Sequence, residues 1–273
     1  MIYIDISRLH FPPNWRERAE RATNKLLRLP EDQRSAFLES HSDIWRDLKP
    51  ALEELSSRKC WYCEGRTARF DFHVDHHRPK NRVKNKDGTQ EQGYWWLAFD
   101  YRNFRLACDY CDSLHVGPNG ITRGKADRFP LAPGSIRASS PGSNIEAEVP
   151  LLLDPTRPSD PLFLWFLDSG QACPSCTTGL PHQRAKETID VLNLNDIRVV
   201  EERKKLWNDI ISLLERGNRT WEQYEKGSPA ALREFEYVIR DIQDRVSLLA
   251  EFSATARACL KGSAYPWARA FFV

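Results

Sequence analysis

CWYCEGRTARFDFHVDHHRPK, residues 60–80, sets a Cys-x-x-Cys pair, Cys60/Cys63, ahead of three histidines grouped around Asp75. A second pair, Cys108/Cys111, follows downstream. Two such knuckles supply four thiolates, enough to close a tetrahedral Zn²⁺ site. The histidine cluster lies in the insert between them. Zinc would pin the two ends of that insert, which a small loop-rich module needs because its own core is thin. Four buried cysteines without a metal are the bland alternative.

Asp75 offers oxygen to a hard divalent cation such as Mg²⁺ or Mn²⁺. His76, with an ordinary pKa near ~6.5, suits taking a proton from water at neutral pH. A cation on a scissile phosphate and a base on the attacking water are two needs of phosphodiester hydrolysis. Arg78, Lys80, Arg82 and Lys84 come next and would hold the flanking phosphates. His73 shares a strand face with Asp75, as a candidate third metal or phosphate contact. His77 points the other way from His76 and reads as packing.

The rest of the chain bounds these readings. It has 273 residues, 41% hydrophobic and 29% charged, which fits a soluble globule of one large or two modest domains. Net charge is only +2, yet residues 58–88 carry nine Lys/Arg against four acids. That imbalance suggests a phosphate-facing patch, with an ordinary solvated surface as the alternative. No apolar run nears the ~20 residues of a membrane helix. The start, MIYIDISRLHFPPNW, lacks a signal-peptide pattern, so a cytoplasmic protein is expected. Thiols are then expected free or metal-bound. A third pair, Cys173/Cys176, has only His182 as a nearby further ligand, and Cys259 reads as a small core residue.

Four segments are expected. Residues 1–57 are helical: Trp15, Ala19, Ala22 and Leu26 share a helix face behind an Asn14/Glu17 capping box, a second helix carries Phe37, Ile44, Trp45 and Leu48, and a third turn starts at Pro50. Residues 58–131 form the zinc-stabilised module, with Trp95 and Trp96 as core. Residues 132–181 are a Pro/Gly-rich connection with strands at Val149–Leu153 and Phe163–Leu167. Residues 182–273 return to helices, one capped by Asn195-Asp196 and stopped by Gly217, and one running from Pro229 towards Leu260.

Cys60/Cys63, Asp75-His76-His77-Arg78-Pro79, Asn103-Phe104 and Cys108/Cys111 together resemble the zinc-knuckle branch of the HNH nucleases. Tyr94–Asp100 (YWWLAFD) and Arg128–Leu131 (RFPL) resemble a subgroup that includes the HNH subunits of Septu-type anti-phage systems, which pair with an ABC-type ATPase. The resemblance covers about residues 58–131. It implies a ββα-metal module on a four-cysteine zinc knuckle, which with the helical flanks read above makes an α+β, mostly helical chain. It makes His76 the general base, Asp75 and Asp112 the metal ligands, and Asn103 the residue that holds the loop and orients the base. Two positions depart from the pattern. Asp112 stands where Asn or His is usual, and His115 where Lys is usual. His115 can still donate to phosphate, and Lys125 or Arg128, beyond an insertion at 116–123, could replace the missing cation.

The expected function is therefore a Mg²⁺- or Mn²⁺-dependent endonuclease with structural Zn²⁺, cutting DNA in anti-phage defence beside an ATPase. RNA, tRNA included, is the alternative substrate. A non-catalytic zinc-bound adaptor is the alternative class, favoured by the Asp112/His115 departures and opposed by the intact Asp75-His76 pair. A redox protein built on Cys173/Cys176 is a third. The helical flanks are long for a bare nuclease and are expected to dock a partner, an ATPase or a second copy.

Overall fold

A computed structural model of the protein describes residues 1–66, 72–85, 87–117 and 120–270. Arg69, Asp71 and Lys86 of the basic segment lie outside the described residues. The chain is α+β, with helices over about half of it rather than most of it.

Helix α1 (Trp15–Leu26) buries Trp15, Ala19, Ala22 and Leu26, the face its spacing predicts. The capping box does not form. Asn14 is left-handed (φ 60°), not in the extended conformation of a side-chain cap, and its side chain makes no capping bond. The second predicted helix is split into α2 (Glu31–Ser40) and α3 (Asp43–Arg46), followed by α4 (Lys49–Leu55). His41 makes the break: its ring stacks on Phe37, and Nδ1 lies 2.9 Å from the Phe37 carbonyl. A continuing helix would have used that carbonyl for the His41 backbone N–H.

Strands β1 (Phe72–His76) and β4 (Phe104–Cys108) pair antiparallel, from Phe72 opposite Cys108 to His76 opposite Phe104. Between them lies the hairpin β2 (Arg82–Lys84) with β3 (Gln90–Gln92). A one-turn helix, α5 (Asp109–Asp112), follows β4 directly, and the insertion forms the hairpin β5 (His115–Val116) with β6 (Thr122–Arg123). The Trp61 N–H donates to the Leu106 carbonyl at 2.8 Å and ties the first knuckle to β4.

In the connecting segment, β7 (Leu164–Phe166) pairs with β8 (Ala172–Pro174). The strand predicted at Val149–Leu153 is reduced to one bridge, Leu131 with Pro150. Pro130 and Pro150 lack the N–H groups a longer ladder would need.

Helices α6 (Gly179–Val191), α7 (Ile197–Glu225), α8 (Pro229–Val246), α9 (Ser253–Lys261) and α10 (Pro266–Ala270) complete the chain. Asp196 caps α7 through the Arg198 N–H as expected, but Gly217 does not stop it. A Cβ at Gly217 would sit 2.8 Å from the Trp267 ring, so this glycine serves packing inside a continuous helix. The long helix expected from Pro229 ends at Val246. The buried Lys59 ammonium takes the Leu248 and Ala250 carbonyls, which a continuous helix would have used internally.

One core joins the N-terminal helices to the strand pair through Trp15, Trp45, Leu52, Trp61, Phe104 and Leu106, and buries Trp95 and Trp96. A second surrounds the four knuckle cysteines, and a third lies among α7, α8 and α9, where Cys259 is buried. No helix among the described residues is long and apolar enough to cross a membrane.

Candidate metal centre and adjoining cleft

The Sγ atoms of Cys60, Cys63, Cys108 and Cys111 all lie within 4.8 Å of one another, and all four residues are buried. Cys63 and Cys108 are 3.7 Å apart at sulfur. A tetrahedral ion with Zn–S of ~2.3 Å has S–S edges of about 3.8 Å, so the donor set fits zinc in type and in spacing. The Gly65 and Cys108 backbone N–H groups donate to the Cys63 and Cys60 sulfurs at 3.4 and 3.3 Å. Burial pushes the Cys60 thiol up, but hydrogen bonds from Cys108, Cys111 and Cys63 outweigh it and hold Cys60 well below the ordinary thiol range. Arg203 on α7 is fully buried beside this cluster and donates to the Cys63 carbonyl at 3.2 Å. Four thiolates around a dication leave a charge of −2, and a buried guanidinium offsets part of it. Nothing in the sequence marks Arg203; it is one arginine on an ordinary amphipathic helix.

Asp75 and His76 end β1 at the wall of a cleft of about 500 Å³, shared with Lys80, Arg82, Asp112 and Asp127. Both Asp75 oxygens accept buried bonds. The Tyr62 hydroxyl donates to Oδ2 at 2.6 Å, and Lys125 Nζ donates to Oδ1 at 2.6 Å. Tyr62 lies inside the first knuckle, so the cysteine centre and the cleft share a loop. Asp112 completes the carboxylate pair from the end of α5. Burial first, then the neighbouring Asp75 carboxylate, raise its pKa to about 7 against the pull of Lys125 and Lys80.

His76 Nε2 lies 2.9 Å from the Ala98 carbonyl. A carbonyl can only accept, so this nitrogen carries the proton and Nδ1 keeps the basic lone pair. Trp45 of α3 and Phe104 of β4 pack roughly perpendicular to the imidazole, each with its ring centre 5.1 Å from that of His76. Burial, then Lys80, then Lys125 hold its pKa well below the usual histidine value, so His76 is neutral at pH 7. Trp45 also lies under Lys80 Nζ, 4.8 Å from the ring centre. Asn103 fixes the turn after His76: its Oδ1 accepts from the Arg78 N–H at 2.8 Å and its Nδ2 donates to the Arg78 carbonyl at 3.0 Å.

The remaining predicted residues lie elsewhere. His73 does not line the cleft; it is half-exposed, with Nε2 3.9 Å from Asp109. Arg78 turns inward, because Glu148 is buried and draws the guanidinium to 2.9 Å. His115 stacks on Tyr110 and sits 3.2 Å from Asp109, drawn there by the β5–β6 hairpin. Arg128 lines a neighbouring groove with Lys84 and Arg123. His77 is buried beside Asp154. Cys173 and Cys176 are half-buried. Among the described residues, the four knuckle cysteines form the one cluster of three or more metal-ligating groups, so no third ligand gathers at Cys173/Cys176.

The raised Asp112 has a measurable consequence. A carboxyl that binds its proton more tightly folded than unfolded makes stability fall as pH rises from the ordinary Asp value to about 7. Asp112→Asn is therefore expected to raise the Tm of the protein without a divalent ion at about pH 8, and to change it little at about pH 4. Equal shifts at both pH values in a thermal-melt series would contradict the buried-carboxylate account.

No family model matches the chain. It is similar to Septu protein PtuB of Bacillus mycoides (strain KBAB4), 30% identical over 166 residues, which are 60% of this chain and 52% of that protein. It is also similar to Septu protein PtuA of the same strain, 26% identical over 168 residues, 61% of this chain and 21% of that protein. The chain thus spans about half the length of the first relative and about a fifth of the second.

Proposed function

We propose that this chain is a metal-dependent endonuclease of the HNH kind, hydrolysing phosphodiester bonds in DNA as part of an anti-phage defence system. The observation that carries the reading is the cleft: a neutral histidine with a free basic nitrogen beside two carboxylates, Asp75 and Asp112. The order of β1, β4 and α5 around a four-cysteine cluster supports the ββα-metal reading.

The two carboxylates suit Mg²⁺ or Mn²⁺, which would polarise the scissile phosphate and stabilise the departing oxygen. His76 Nδ1 takes the proton of the attacking water as the new P–O bond forms and the bond to the leaving sugar oxygen breaks. The Ala98 carbonyl keeps the imidazole in the required tautomer. Asn103 holds the backbone just beyond the base. Lys80 and Arg82 reach the cleft and would meet the phosphates flanking the cut.

Likeness to two Septu proteins supports the defence role and a two-component arrangement. An ABC-type ATPase is the partner we assign, docked on the helical flanks. The test is cleavage of supercoiled plasmid by zinc-loaded protein in Mg²⁺ or Mn²⁺, with EDTA as control and the partner present or absent. Nicking or linearisation that EDTA abolishes is expected. Intact plasmid in every lane, with a structured RNA cut instead, would replace the substrate class. Neither nucleic acid being cut would overturn the reading.

A further inference from the structure

Lys125 sits where a cation is already in place. Its side chain is fully buried, with Nζ 2.6 Å from Asp75 Oδ1 and 2.8 Å from the His76 carbonyl. The backbone delivers it there. The Lys125 N–H donates to the Cys111 carbonyl and the Ala126 N–H to the Asp112 carbonyl, so this segment is stitched to α5. Gly124 makes the approach possible: at φ +114° it passes so close to Ser113 that a Cβ would lie 1.7 Å from the Ser113 carbonyl oxygen. The ammonium is therefore part of the framework, not a surface side chain that folded in.

The charges in the cleft follow. Asp75 and Asp112 bring two negative charges when both are ionised. Lys125 and Lys80 bring two positive ones, and Arg82 is balanced by Asp127 at 2.6 Å. The carboxylates are thus neutralised before any divalent ion arrives. Adding a dication alone would leave a largely buried site with net charge +2, which is costly. A phosphodiester entering with it removes part of that excess and supplies a further oxygen ligand, as Mg²⁺ sites built on one or two carboxylates commonly require.

We propose that Lys125 is a built-in counter-cation that makes the Asp75/Asp112 centre take its divalent ion together with the substrate phosphate rather than before it. The proposal rests on the nuclease reading above. It makes Lys125 a positioning residue for Asp75 and the His76 backbone. It also gives the enzyme a centre that stays without its catalytic ion until nucleic acid is bound. By linkage, the ion and the nucleic acid must tighten each other by the same factor, on the order of 10- to 100-fold.

The experiment is Mn²⁺ binding followed by electron paramagnetic resonance on the zinc-loaded full chain carrying His76→Ala, expected to cut slowly enough for binding to be read first. It is run alone, with a short DNA duplex and with an RNA hairpin. Weak Mn²⁺ binding alone, tightened on the order of 10- to 100-fold by a nucleic acid, is expected. Lys125→Met, added to this protein, should bind Mn²⁺ without nucleic acid more tightly by a similar factor. Should that variant fail to fold, the reciprocal measurement on the Lys125 protein, DNA affinity with and without Mn²⁺, decides alone. Tight Mn²⁺ binding without nucleic acid, or an unchanged affinity in Lys125→Met, overturns the proposal and leaves the nuclease reading standing. No Mn²⁺ bound even with nucleic acid on the protein overturns both. Coupling seen with RNA alone upholds the proposal and changes the substrate class.

Discussion

Cys108→Ala is expected to cost the protein both its zinc and its fold. Cys108 belongs to two structures at once. It is a corner of the four-sulfur cluster, and it ends β4, where its backbone N–H donates to Cys60 Sγ. The core around the cysteines holds Tyr62, Leu164, Phe166, Ile189 and Leu192, drawn from segments far apart in sequence. A structural zinc contributes an apparent ~10–16 kcal/mol of binding free energy, and a domain's whole net stability is about 5–15 kcal/mol. Losing one ligand removes enough of that term to exceed the margin. It also leaves Arg203 buried beside a cluster that no longer balances its charge. Metal analysis and thermal melting check this: wild type should carry one tightly held zinc, and Cys108→Ala little zinc and no cooperative melt. Cys176→Ala, at a half-buried position between β8 and α6 and outside the cluster, should keep both. A zinc-free Cys108→Ala protein melting like wild type would remove the structural-zinc account.

The parts of the site that the sequence made legible share one property: their meaning lies in short spacings. Cys-x-x-Cys pairs meet because two knuckles have few other ways to satisfy four thiolates. Asp75 and His76 reach one cleft because β1 ends there; within a strand, consecutive side chains would face opposite ways. Asn103 is placed by the resemblance, through its fixed spacing to Cys108, and the fold sets it just before β4, the strand paired with β1. What stayed hidden depends on long-range packing. Trp45 reads as one apolar position on an N-terminal helix, yet its ring packs against His76 from α3. Tyr62 looks like filler between two cysteines, and only the fold brings its hydroxyl to Asp75. Lys125 was expected at a phosphate. The resemblance suggests that, as a substitute for the lysine missing at His115, but the Gly124 approach to Ser113, which turns the side chain inward, has no short-range signature. At Gly217 and after Val246 the local signals mislead for the same reason. A glycine pressed against Trp267 and carbonyls claimed by Lys59 are tertiary facts that override local helix signals. The N-terminal flank, expected as a docking element, also shares its core with the strand pair and packs Trp45 against His76.

His76→Ala is expected to reduce cleavage about 10²–10⁴-fold, the usual contribution of a positioned general base, while zinc content and melting stay near wild type. The pH dependence makes the assignment specific. A general base works only unprotonated. An ordinary histidine would lose half its effect near pH ~6.5, and burial against Trp45 and Phe104, with Lys80 and Lys125 nearby, holds His76 well below that value. The His76-dependent acid limb should therefore fall below the ordinary histidine range, with full activity persisting at about pH 6.5. Trp45→Ala would admit water to one face of the imidazole and move Lys80 off its ring. Easier hydration of the charged form raises the His76 pKa, so in that variant the acid limb should move towards ordinary histidine. The shift separates a positioning role from plain destabilisation, which would lower the rate at every pH alike. Single-turnover cleavage against pH, in saturating Mn²⁺ so that the carboxylates stay ligated, measures both limbs. An acid limb unchanged by Trp45→Ala, or cleavage surviving intact in His76→Ala, would take the base away from His76 and return the cleft to a binding role.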